Sequence, residues 1–64
     1  MNFELKKAIF EKGITQRAFS QQSGIPEVAI SNAIRGVREL SRGDQLRAAE
    51  LLGWDVDDLF SEGD

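Results

Sequence analysis

The side chains able to do chemistry are few, and they are not those of a catalyst. The chain has no histidine, cysteine or tyrosine. No carboxylate pair marks a pocket, and no glycine-rich phosphate loop follows a strand, so no enzyme is expected. Without histidine or cysteine a structural zinc site is excluded. Asp55, Asp57 and Asp58 cluster, but they lack the glycine and terminal glutamate of a calcium loop. No cofactor, metal or small-molecule ligand is indicated. What remains is the chemistry of recognition. Glu27, Val28, Ser31, Asn32 and Arg35 fall at i, i+1, i+4, i+5 and i+8, which is one side of a helix. An amide, a hydroxyl, a carboxylate, a guanidinium and a branched apolar group can together read a surface without breaking a bond.

Charge is split along the chain. The net charge is −3 over 64 residues and the isoelectric point is near 4.8. All 8 basic residues lie between Lys6 and Arg47, whereas residues 48–64 hold acids and no base. The global value argues against a polyanionic partner. The local split does not, because a partner feels the nearest face within a Debye length of ~8–10 Å. Uneven scatter in a short chain is the plainer explanation of the same split.

These residues must be positioned by a small fold. At 64 residues the chain makes one domain. A core of this size rarely supplies more than ~3–5 kcal/mol, and no disulfide can add to it. Strand signals are nearly absent and helical spacing is frequent. Five helices are expected. The first covers residues 3–12, with Leu5, Ala8 and Ile9 inward and Gly13 as its stop. Thr15 caps the second, residues 16–23, which is anchored by Phe19. The third opens at Pro26 and runs to Arg35, burying Ile30, Ala33 and Ile34. Ser41 caps the fourth, with Asp44 completing a weak capping box. Leu46, Ala49, Leu52 and Leu51 form its inner face. Asp55 caps a short fifth helix over residues 56–61 that buries Val56, Leu59 and Phe60. Residues 62–64 are expected to be a disordered acidic tail. The fold class is therefore all-α, with short connections and crossing helices.

Residues 16–36, QRAFSQQSGIPEVAISNAIRG, carry the clearest pattern. Counting Gln16 as one, small Ser20 falls at five, Gly24 at nine, Ile25 at ten, Ile30 at fifteen and Ala33 at eighteen. In a helix-turn-helix, the fifth residue must be small where the second helix crosses. The ninth supplies a positive φ, and the apolar positions seat the pair on the core. With LKK and EKGITQ before this stretch and LGWDVDDLF after it, the chain resembles the Xre-type helix-turn-helix family. This is the five-helix fold of lambda-repressor-like and Cro-like phage and bacterial regulators. The match runs from Leu5 to Phe60. Two positions depart from the pattern. Ile34 occupies a place that is usually polar, and Arg42 and Gly43 follow the Ser41 cap.

The resemblance implies a sequence-specific regulator, of repressor type, that binds double-stranded DNA. The third helix would enter the major groove. Glu27, Val28, Ser31 and Asn32 would face bases. Asn32 suits adenine N6 and N7, Val28 a thymine methyl, and Glu27 a cytosine amine. Gln16 and Arg17 at the start of the second helix, with Arg35, Arg38 and Arg42, would hold phosphates. Plainer readings stand beside these. Glu27 also complements the positive end of its helix, Val28 also suits the core, and the arginines also suit an ordinary charged surface. The resemblance further implies a homodimer on DNA, with Trp54, Val56 and Leu59 as candidate contacts. Closure of the monomer core is the other role open to Trp54 and Phe60. Whether the chain is a complete, Cro-like regulator or one domain of a longer one stays open. A different class, a protein-interaction module on the same fold such as an antitoxin or anti-repressor partner, suits the low positive charge. No membrane span or signal pattern appears, so a cytoplasmic, nucleoid-associated place is expected.

Overall fold

Asn2 opens the first helix and ties it to two others. A computed structural model describes residues 2–60. It contains α1 (Phe3–Lys12), α2 (Gln16–Ser23), α3 (Glu27–Arg35), α4 (Arg42–Leu52) and α5 (Val56–Phe60). There is no strand among the described residues. The Asn2 side-chain oxygen accepts from the Leu5 N–H at 2.9 Å and caps α1. Its Nδ2 donates to the Leu59 carbonyl at 2.9 Å, and its backbone N–H donates to the Ile34 carbonyl at 2.9 Å. One short polar residue thereby joins α1, α3 and α5. The Cα radius of gyration is 10.2 Å, close to the ~10.7 Å expected of a packed domain of this length.

The other helix starts follow the same local logic. Thr15 Oγ1 accepts from the Ala18 N–H at 3.0 Å, and Ser41 Oγ accepts from the Asp44 N–H at 3.3 Å. The reciprocal arm expected of Asp44 is not formed, since its carboxylate lies 3.4 Å from Arg47 instead. Pro26 precedes α3 rather than beginning it. Its ψ of 139° is extended, and its carbonyl accepts from Ala29 and Ile30. The fifth helix is described to Phe60. The expected last residue Ser61 and the tail, residues 62–64, lie outside the described residues.

The core is one main cluster of Leu5, Ile9, Phe19, Ile25, Ile30, Ala33, Ile34, Leu40 and Ala48. A smaller one of Ala8, Ala49 and Leu59 is covered by half-buried Leu52, Trp54, Val56 and Phe60. No polar or charged side chain is buried among the described residues. Ile34, the departure noted in the sequence, is 6 % exposed and belongs to the main cluster. Full burial expected of Val56 and Phe60 is only partial.

The inner face of α4 differs from the expectation. Leu46 is 49 % exposed, while Ala48 and Ala49 are buried. Gln45, Ala48, Ala49 and Leu52 occupy i, i+3, i+4 and i+7, so they form the inward line. Leu46 is one residue past Gln45, ~100° round the helix. Gln45 holds the inward place because its amide donates to the Leu40 carbonyl at 3.2 Å. Small alanines bring α4 close to its neighbours where a leucine would hold it off.

Two substitutions test this arrangement. Asn2→Ala removes a cap and an inter-helix bond and is expected to cost ~1–3 kcal/mol. Leu46→Gln is expected to change stability by less than ~0.5 kcal/mol. Urea denaturation followed by circular dichroism measures both. Equal losses would show that the α4 register is wrong.

Candidate nucleic-acid interface

The segment joining α2 to α3 is held by its own hydrogen bonds. Ser20 Oγ donates to the Ile25 carbonyl at 2.6 Å. The Ser20 carbonyl accepts from the Gly24 N–H at 2.9 Å, and Ser23 Oγ accepts from the Ile25 N–H at 3.2 Å. Gly24 has φ of +77°, a conformation that a side chain disfavours. Ile25 itself is 1 % exposed and packs with Phe19 and Ile30 in the main cluster. Ser20 is half-buried, and α2 packs directly on α3. A larger residue at position 20 would displace the Ile25 carbonyl.

One side of α3 is therefore committed to the core, and the other is open. Ile30 is fully buried, and Ala33 and Ile34 are each 6 % exposed. On the opposite side Val28 is 67 % exposed, so its alternative as a core residue is set aside. Glu27 and Arg35 are exposed, and Ser31 and Asn32 are half-buried. The structure brings Asn32 and Arg35 together, with Arg35 Nη2 donating to Asn32 Oδ1 at 3.4 Å. A bond of that length is weak, so the amide is oriented without being locked. Glu27 stands in the first turn of α3, where its charge also complements the helix dipole.

The end of α3 projects the next cation. The Asn32 carbonyl accepts from the Val37 N–H at 2.9 Å, and the Ala33 carbonyl accepts from the Gly36 N–H at 3.2 Å. This closing turn needs the left-handed Gly36 at φ +78°. It leaves Arg38 exposed just beyond the helix. Arg42 is exposed at the start of α4, 3.4 Å from Gln45 Oε1.

At the start of α2, Arg17 is exposed and Gln16 half-buried. The Ala18 and Phe19 N–H groups bond to Thr15, and the first turn carries no acid. The N–H groups of Gln16 and Arg17 are thus left without a carboxylate beside them in that turn. Gln16 also borders a shallow groove with Ile34 of α3 and with Lys6, Ile9 and Phe10 of α1. Lys6 was not singled out by sequence. Its signal was present, because Lys6 and Phe10 are four apart on α1 and lie off the buried stripe. The only ion pair among the described residues joins Arg47 to Asp44, so Arg17, Arg35, Arg38 and Arg42 keep their charges unneutralised.

The residues suggested for self-association divide. Leu59 is 1 % exposed and belongs to the second cluster, so it cannot serve as a contact. Trp54 follows the left-handed Gly53, donates its backbone N–H to the Ala49 carbonyl at 3.0 Å and packs half-buried over the second cluster. Val56 is also half-buried there. No helix among the described residues is long and apolar enough to cross a membrane, and no group of three acidic side chains there could hold a metal.

Comparison with protein-family models, curated proteins and solved structures finds no match to the chain.

Because the outward residues bear little packing, their replacement should leave the fold intact. Val28→Ala and Arg38→Gln are each expected to shift stability by less than ~0.5 kcal/mol. Ile30→Ala is expected to cost ~2–5 kcal/mol, enough to unfold much of the population. Thermal melts of the three variants check the contrast.

Proposed function

We propose that the chain is a sequence-specific double-stranded-DNA-binding transcriptional regulator, a repressor of the phage or bacterial kind. In this reading α2, its turn and α3 act as a helix-turn-helix, and α3 enters the major groove. One observation carries it. The inner side of α3 is fixed by Ile30, Ala33 and Ile34, while Glu27, Val28, Ser31, Asn32 and Arg35 form an outer side not enclosed by the core. The resemblance of the chain to Xre-type regulators supports the same reading.

Each residue has a task that its chemistry suits. Asn32 bonds adenine through N6 and N7 once Arg35 releases its oxygen. Val28 packs on a thymine methyl, and Glu27 accepts from cytosine N4. Ser31 lies beside them as a donor or acceptor. Arg35 and Arg38 hold phosphates at the end of α3, and Arg42 extends that grip from α4. Gln16 and Arg17 receive a phosphate at the start of α2, where free N–H groups and the helix dipole favour an anion. So few cations give weak non-specific affinity. Two copies on half-sites ~34–36 Å apart would supply the rest.

A second reading belongs to another class. The exposed Phe10 on α1, 82 % open, and the acidic end of the chain favour a protein-interaction module on the same scaffold. An antitoxin or an anti-repressor partner is of that kind. Affinity capture that returns one stable protein and no nucleic acid would select it.

Selection of bound duplexes from a random pool, followed by titration in salt, tests the leading reading. Asn32→Ala is expected to cost ~1–3 kcal/mol at one base position. Arg38→Gln is expected to weaken all sites alike and to lower the salt slope by ~0.9. A pool that yields no enriched site, or a site preference untouched by Asn32→Ala and Val28→Ala together, would refute it.

A further inference from the structure

Two unlike side chains stand next to each other at the start of α3. Val28 is 67 % exposed, a branched apolar group that the core leaves in water. Glu27 is exposed, is the only acid of the helix, and has no ion pair among the described residues. Pro26 before them makes no side-chain capping bond. A carboxylate on a surface that meets phosphates is repelled by them, and a hydrogen-bond donor on a base edge is what offsets that repulsion.

The major-groove edges of the bases restrict what this pair can meet. Only the amines at cytosine N4 and adenine N6 donate. Beside the adenine amine stands the N7 acceptor, which repels a carboxylate and gives a valine nothing to pack on. Thymine carries a methyl at C5, but next to its O4 acceptor. Cytosine has the amine beside a bare C5. Cytosine methylated at C5 is the base that sets a donor next to a methyl group. The helix geometry suits such an edge. Successive residues rise 1.5 Å and leave the axis ~100° apart, so Glu27 and Val28 do not face each other. They flank an edge that enters between them, the longer acid towards the amine and the shorter valine towards C5.

We propose that Glu27 and Val28 together recognise 5-methylcytosine in duplex DNA. The carboxylate accepts from N4, and the valine packs on the C5 methyl. The inference rests on the reading of α3 as a major-groove helix. Taken one at a time, the two side chains suit a cytosine and a thymine on neighbouring base pairs. Acting on one base, they make the chain a reader of modified sites. Such sites are the product of methyl transfer to cytosine C5, so occupancy of the duplex follows that modification. Covering one methyl group against Val28 corresponds to a gain of ~4-fold in affinity.

Two selections of bound duplexes, from an ordinary random pool and from one with every cytosine methylated at C5, start the test. The enriched duplex is then made with cytosine, 5-methylcytosine or thymine at each cytosine position in turn, and its affinity is measured by fluorescence anisotropy at fixed salt. At one position per site, 5-methylcytosine is expected to bind ~4-fold tighter than cytosine, and thymine at least ~5-fold weaker. Val28→Ala removes the gain from the methyl and keeps the preference for cytosine over thymine. Glu27→Gln narrows the gap between 5-methylcytosine and thymine, because a glutamine amide donates to O4 as well as accepting from N4. Circular dichroism checks that both variants keep their helices. A duplex indifferent to C5 methylation at every cytosine, or a gain that survives Val28→Ala, overturns the inference and leaves the duplex-binding reading standing. A chain that enriches no duplex from either pool overturns both.

Discussion

The bond from Ser20 to the Ile25 carbonyl fixes how α3 leaves α2, and the outward side of α3 depends on it. At 2.6 Å it is short for a hydroxyl donor. It works because the turn is closed on both sides. Gly24 reverses the chain at positive φ, and Ile25 drops into the core beside Phe19. With the turn set, the buried residues of α3 determine which side is left over. Ile30, Ala33 and Ile34 take the inward places, so Val28, Asn32 and Arg35 are left to the other side by helical geometry alone.

Holding five short helices together without a disulfide requires ties between distant parts of the chain. Asn2 supplies one of them with three hydrogen bonds, to Leu5, Ile34 and Leu59. Two of those partners are carbonyl acceptors near the ends of α3 and α5. Helix ends leave carbonyls without an intrahelical partner, and a side-chain amide can satisfy one without burying a charge. The same residue caps α1, so the start of the chain and the end of α5 are set by one side chain. Small residues do the complementary work on α4. Ala48 and Ala49 let that helix approach α1, α2 and α5, and Gln45 fills the remaining inward place with a bond to Leu40.

Electrostatics on this scaffold is organised by omission. Among the described residues, Arg17, Arg35, Arg38 and Arg42 have no carboxylate partner within bridging distance, while Arg47 alone meets one. Acids gather at the other end of the chain, where no base follows Arg47. A surface of unpaired cations is cheap to maintain in water, because exposed ion pairs contribute only ~0–1 kcal/mol. It stays available to an anion.

Local signals in the chain settle local structure. Thr and Ser before apolar runs, glycines after them, and the i, i+3, i+4 spacing of Leu5, Ala8 and Ile9 mark the helices, because caps and periodicity act within one turn. The same spacing left Glu27, Val28, Ser31, Asn32 and Arg35 on one side of α3. What lay beyond it were the choices made between helices. The sequence offers Leu46 and Gln45 as neighbours ~100° apart, and only the pull of the Leu40 carbonyl turns the glutamine inward. Leu59 looks as available as Val56 until Ala8 and Ala49 close over it. Nothing in the sequence marks Asn2 as a tie between helices, and only the fold brings Leu59, 57 residues away, within 2.9 Å. Periodicity ranks the sides of one helix, whereas burial depends on what other helices bring, and that is decided only when they pack.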